Sequence, residues 1–179
     1  MRDQNKLKRF EQCVLPHLDA AYNLARWLTR NDQDADDVVQ EACLRAYKFF
    51  DSLHGNDSRP WLLAIVRNTY YTWRQQQQKY ETAAVFDEEL HSTDDESASP
   101  EDLLLRNLQR QVLKEALEDL PVEFREVIVL RELEGLSYKE IATILAVPLG
   151  TVMSRLARAR KRLQHYLAHY QNKESLFEL

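Results

Sequence analysis

Thr151, Ser154, Arg155, Arg158 and Arg162 are spaced so that a helix would place them on one face. Hydroxyls and guanidinium groups in such a row suit one chemistry, contact with phosphates and base edges. On another face Val152, Leu156, Ala159, Leu163, Tyr166 and Tyr170 step by fours and threes, a pattern that packs. Residues 151–170 hold five basic side chains (Arg155, Arg158, Arg160, Lys161, Arg162) and no acid, in a chain of net charge −5. A face that served solubility alone would mix its signs. Upstream, Ser137 and Glu140 have the spacing of a capping box, and Ile141, Ala142 and Leu145 give the helix they open one apolar side. Pro148 and Gly150 interrupt the pattern, and a second helix is expected from Thr151. Two short helices with the cationic one second read as a helix-turn-helix.

A second group lies at residues 61–79, where Trp61, Tyr70, Tyr71 and Trp73 accompany Arg67, Arg74 and Lys79. Trp61 is expected in the core. Neighbouring helical positions lie ~100° apart, so Tyr70, Tyr71 and Trp73 cannot all point inward. Aromatics beside cations at a surface are what stacking on unpaired bases requires, at ~1–3 kcal/mol per base.

Other chemistries find little support. Cys13 with His17, and His165 with His169, stand four apart on predicted helices, but two ligands do not close a metal site. No phosphate-binding glycine loop and no nucleophile elbow is present. The expectation is a protein that is not an enzyme and takes no cofactor and no metal.

The supporting elements read as all-α. Three glycines and few alternating β-branched residues in 179 positions leave little room for a sheet. No apolar run reaches the ~20 residues that cross a bilayer, so no membrane insertion is expected. Two cysteines imply no disulfide framework and a reducing, cytoplasmic setting. Charge divides the chain. Residues 1–86 carry 12 basic and 11 acidic groups, whereas residues 87–102, DEELHSTDDESASPED, carry eight acids and no base. Residues 103–179 carry 12 basic and 10 acidic groups. The acidic piece has little to bury and reads as a flexible linker, acidic enough to cover a basic surface in place of nucleic acid. Two small helical domains are therefore expected, 1–84 and 103–179, joined through 85–102.

In the first domain, helical pattern starts near Lys6, is disturbed at Pro16 and resumes from Leu18 to Leu28. A second helix is expected over 34–50, with Val38, Ala42, Leu44, Ala46 and Tyr47 around its apolar side. Asp37, Gln40, Glu41 and Arg45 share a polar face that suits a protein partner. A third helix should open at Pro60, after a loop of turn-forming residues.

Three segments together resemble the small, two-domain extracytoplasmic-function sigma factors of bacterial RNA polymerase. They are DADDVVQEACLRAY at 34–47, RPWLLAIVRNT at 59–69, and the run from Leu120 through LRELEGLSYKEIA at 130–142 to VPLGTVMSRLARAR at 147–160. The resemblance covers nearly the whole chain. It implies that Asp37, Gln40 and Glu41 dock on the clamp helices of core RNA polymerase. Asn68 would line a pocket for a base flipped from the promoter's −10 element, with residues 54–58 at its rim. Arg67, Tyr71, Arg74 and Lys79 would follow the separated strand, and Thr151, Ser154, Arg155 and Arg158 would enter the major groove of the −35 element. The partners implied are core polymerase, promoter DNA and an anti-sigma factor.

The chain departs from the family pattern at several places. Met153 stands where Lys or Arg is frequent, Ala157 where a bulky residue is frequent, and Gln75–Gln78 where the family is more basic. Ala146 replaces a glycine frequent in the turn, which would strain a left-handed backbone there. Taken on residues alone, two other readings remain open. A homodimeric helix-turn-helix regulator would bind a palindrome without polymerase, and an interaction protein with an incidental basic helix would not touch DNA.

Overall fold

Pro16 breaks the first helical pattern because its ring removes an amide donor and clashes with the preceding turn. Helix α1 (Arg2–Val14) accordingly ends in a tight turn over Leu15–His17, and α2 (Leu18–Thr29) follows. The computed structural model describes residues 2–55, 57–80 and 100–177, so most of the acidic segment 85–102 lies outside the described residues. Among the described residues every regular element is helical. Asn31 caps α3 (Asp32–Phe49), its side chain accepting the Asp34 amide at 3.0 Å. Helix α4 (Ser58–Tyr80) opens two residues before Pro60. Pro60 is still tolerated in a first turn, where amides have no helical partner, while the Ser58 hydroxyl donates to the Cys13 carbonyl at 2.7 Å.

The second bundle contains α5 (Pro100–Glu118), α6 (Val122–Ile128), α7 (Tyr138–Leu145) and α8 (Leu149–Phe177). After α6 the ladder widens over Val129–Leu133: the Glu134 amide donates to the Val129 carbonyl, five residues back, at 3.0 Å. Gly135, at φ +67, supplies the left-handed turn that ends it. The Ser137–Glu140 capping box is formed in both directions, and its hydrogen bonds hold the Glu140 carboxyl below the usual carboxylate range. Helices α7 and α8 cross at 102°, the geometry of a helix-turn-helix. Helix α8 opens at Leu149 rather than Thr151, because the Pro148 carbonyl accepts the Thr151 and Val152 amides and holds Gly150 in the first turn.

Ala146 does adopt the left-handed conformation, φ 52 and ψ 46. A Cβ in that region costs roughly 1–2 kcal/mol, partly offset by the greater chain entropy glycine loses on folding. Ala146→Gly is therefore expected to stabilise the fold by up to about 1 kcal/mol, read as a higher urea midpoint. A lower midpoint would contradict this.

Each bundle has its apolar stripe inside: Leu24, Val38, Leu62, Leu63 and Val66 in the first, Leu130, Ile141, Val152 and Leu156 in the second. The bundles also pack on each other, α2 against α6 and α4 against α7, so buried residues of both form one continuous cluster.

Candidate nucleic-acid interface

The periodicity of α8 resolves as its pattern requires. Val152, Leu156 and Ala159 are buried, Leu163, Tyr166 and Tyr170 half-buried, and Ser154 and Arg158 exposed. Thr151 and Arg155 are only half-exposed. Leu149 and Met153, one turn apart at the start of α8, present apolar side chains to solvent. Arg160 pairs with Glu132 at 2.6 Å on the outside, and the Arg162 guanidinium lies 5.1 Å from the centre of the Phe124 ring.

On α4, Asn68 and Arg74 are exposed, whereas Leu62, Leu63, Val66, Thr69 and Tyr70 are buried. Asn68 thus offers its amide to solvent from a rigid helix. The loop before α4 holds Gly55 at φ +97 and the His54 ring 2.6 Å from the Ser52 carbonyl; Asn56 lies outside the described residues. Trp61, expected in the core, is half-buried and meets Phe50 edge-on at 6.4 Å. Tyr70 is the aromatic that turns fully inward, with Trp73 stacked on it at 6.3 Å.

Arg67, Tyr71 and Arg155, expected to face nucleic acid, converge instead on one carboxylate. Arg67 donates to both Glu126 oxygens, at 2.9 and 3.2 Å, and the Tyr71 hydroxyl donates at 3.1 Å. Arg155, on α8, lies 3.6 Å from the same carboxylate. Glu126 is fully buried, and burial lifts its carboxyl above the usual range although the Arg67 bonds, Tyr71 and Arg155 pull it back. Burial, and next the charge of Glu126, push the Tyr71 hydroxyl up to about 12, so it keeps the proton it donates.

A second cluster forms at Glu134. Arg59 donates to its backbone carbonyl at 2.6 Å and to its carboxylate at 2.8 Å, and Asn23 donates to the other carboxylate oxygen at 2.5 Å. The local patterns of the sequence did not mark Glu126, Glu134, Arg59 or Asn23 as a group. The one signal was Glu126 itself, a charge set directly before the apolar run Val127–Leu130.

On α3, Asp37, Gln40 and Glu41 are exposed on one face, with Glu41 accepting from Arg45 at 2.8 Å. Leu44, expected on the packing side, is 68% exposed one turn beyond Gln40 and Glu41, giving that polar face an apolar centre. No described helix is by itself long and apolar enough to cross a membrane.

Comparison with known proteins agrees with this geometry. Residues 13–80 match the family described as Sigma-70 region 2, and residues 110–163 match Sigma-70, region 4. The chain is 38% identical to the sigma-E factor of Escherichia coli K12 over 74% of its own length and 73% of that protein's. It is 33% identical to the sigma factor SigE of Mycolicibacterium smegmatis over 94% of its own length, spanning 65% of that longer protein. Among solved structures, the sigma factor RpoE of Bartonella quintana, crystallised with the anti-sigma factor NepR, matches with a TM-score of 0.73. That match has 30% identity and covers 90% of this chain and 98% of the other. The fold of CnrH, determined in complex with the cytosolic domain of CnrY, matches with a TM-score of 0.63 at 26% identity, over 91% of this chain and 90% of that one. Carrying regions 2 and 4 in order, the chain belongs to the two-domain extracytoplasmic-function sigma factors of bacterial RNA polymerase, proteins that are not enzymes.

Proposed function

We propose that this chain binds core RNA polymerase and directs it to promoters by reading a −10 element with residues 1–84 and a −35 element with residues 103–179, joined by the linker 85–102. The observation that carries this reading is the exposed Asn68 amide on α4, whose apolar neighbours are buried. An amide offers two donors and an acceptor, enough to read the edge of a flipped base. Flipping costs a few kcal/mol, which pocket hydrogen bonds and stacking offset. Arg67, Tyr71, Arg74 and Lys79 then follow the strand, while Thr151, Ser154, Arg155 and Arg158 read the −35 duplex. Asp37, Gln40 and Glu41 hold the polymerase. An anti-sigma factor is the natural antagonist, as the relative crystallised with NepR has one.

Promoter opening tests the reading. With holoenzyme on a duplex promoter, Asn68→Ala should leave polymerase binding intact and lower permanganate reactivity of unpaired thymines about tenfold or more, the equivalent of ~1.4 kcal/mol of lost base capture. Normal opening would remove Asn68 from the pocket. At the other element, Arg158→Ala should weaken −35 recognition by about 1–3 kcal/mol, concentrated at one or two base pairs, if the guanidinium is bidentate to a guanine. Uniform weakening with a shallower salt dependence would assign it to a phosphate instead.

A further inference from the structure

Elements named −10 and −35 lie about 25 base pairs apart, roughly 85 Å of duplex at ~3.4 Å per pair. Yet Arg67 and Arg155, one from each reading helix, sit 2.9 and 3.6 Å from the two oxygens of Glu126. An arrangement that brings both guanidinium groups to one carboxylate cannot engage both elements of a straight promoter. The described arrangement is therefore a closed one.

We propose that Glu126 acts as an internal decoy for a DNA phosphate, latching the two bundles so that the free chain holds its own DNA-reading side chains out of use. The proposal rests on the reading of Arg67, Tyr71 and Arg155 as DNA contacts. A buried carboxylate that accepts two bonds from one guanidinium, a third from a tyrosine hydroxyl and the charge of a second guanidinium presents what a phosphodiester presents. Glu134 fastens the same seam further along, through Arg59 and Asn23. Arg125 crosses it as well, donating to the Trp27 carbonyl at 3.0 Å. Between Tyr80 and Pro100 the chain can reach up to about 70 Å if extended, so covalent geometry permits the bundles to part. Polymerase engaging α3 and promoter DNA engaging the freed guanidinium groups would both draw the chain from the closed to the open form. The acidic segment was the candidate mimic of nucleic acid in the sequence; within the described residues the mimic is a residue of the folded second bundle.

The test uses the full-length chain and two readouts, the radius of gyration from small-angle scattering and the affinity for a mixed-sequence single-stranded DNA from fluorescence anisotropy. Glu126→Gln should keep its helical circular dichroism and expand. If the closed form holds at least about nine-tenths of the free chain, affinity should rise about tenfold. Glu123→Gln, an exposed change of equal charge on the same helix, should change neither. A Glu126→Gln chain as compact as the parent would overturn the latch. Expansion without tighter DNA binding would overturn the decoy role, and polymerase-dependent transcription by the parent chain would show that the sigma-factor reading itself still stands. Should Glu126→Gln lose helicity, Arg67→Gln read by scattering alone decides: expansion supports the latch, unchanged compactness overturns it.

Discussion

Arg125→Ala should lower the folding stability by about 3–5 kcal/mol, a large part of the ~5–15 kcal/mol that holds a typical domain. Arg125 is buried in the second bundle and donates to four backbone carbonyls: Leu117 at 3.1 Å, Trp27 at 3.0 Å, Glu118 at 3.2 Å and Leu120 at 2.8 Å. These carbonyls come from the last turns of α2 and α5 and the residues just after α5, where helices leave acceptors without partners and where a cation meets the negative end of the dipole. Removing the guanidinium strands those acceptors in a volume water does not easily enter. Arg125→Lys should recover only a fraction, since one ammonium cannot reproduce a planar fork of five donors. Urea unfolding followed by circular dichroism measures both. An unfolding free energy for Arg125→Ala within about 0.5 kcal/mol of the parent's would contradict this structural role.

The double change Gln40→Ala with Glu41→Lys should abolish co-purification with core polymerase. Both new residues are good helix formers, so α3 should persist. Its one local cost is the Glu41–Arg45 pair at 2.8 Å, replaced by like charges worth a few tenths of a kcal/mol. Against a complementary partner surface, reversing a charge costs several kcal/mol. Leu44→Ala should add to the loss without altering charge, because its exposed side chain lies on the same face. Undiminished binding by the double variant would show that face to be only solvated.

What the sequence showed and what it hid follow from range. The helix-turn-helix was legible because its signals are local: a capping box spanning four residues, a stripe stepping by fours and threes, and Pro148 with Gly150 at the break. Pro16 marked its break for the same reason, and the strain at Ala146 followed from a missing glycine. Helix starts were displaced by two residues at Ser58 and Leu149, because a distant carbonyl in one case and the Pro148 carbonyl in the other stabilise the earlier turn. Leu44 looked like packing surface because periodicity reports an apolar residue without reporting what covers it. The clusters at Glu126 and Glu134 were invisible to any local pattern. Arg67 and Glu126 are 59 residues apart and Arg59 and Glu134 are 75 apart, and only the packing of one bundle on the other brings them together.

Run-off transcription with purified core polymerase, on templates carrying candidate promoters with and without this chain, decides whether it acts as a sigma factor. Transcripts from defined start sites should appear only when the chain is present, be lost with Gln40→Ala/Glu41→Lys and be strongly reduced with Asn68→Ala. Tight, sequence-specific binding of the isolated chain to a palindromic duplex, with no transcript from any promoter in the presence of core polymerase, would contradict it and identify a dimeric regulator instead.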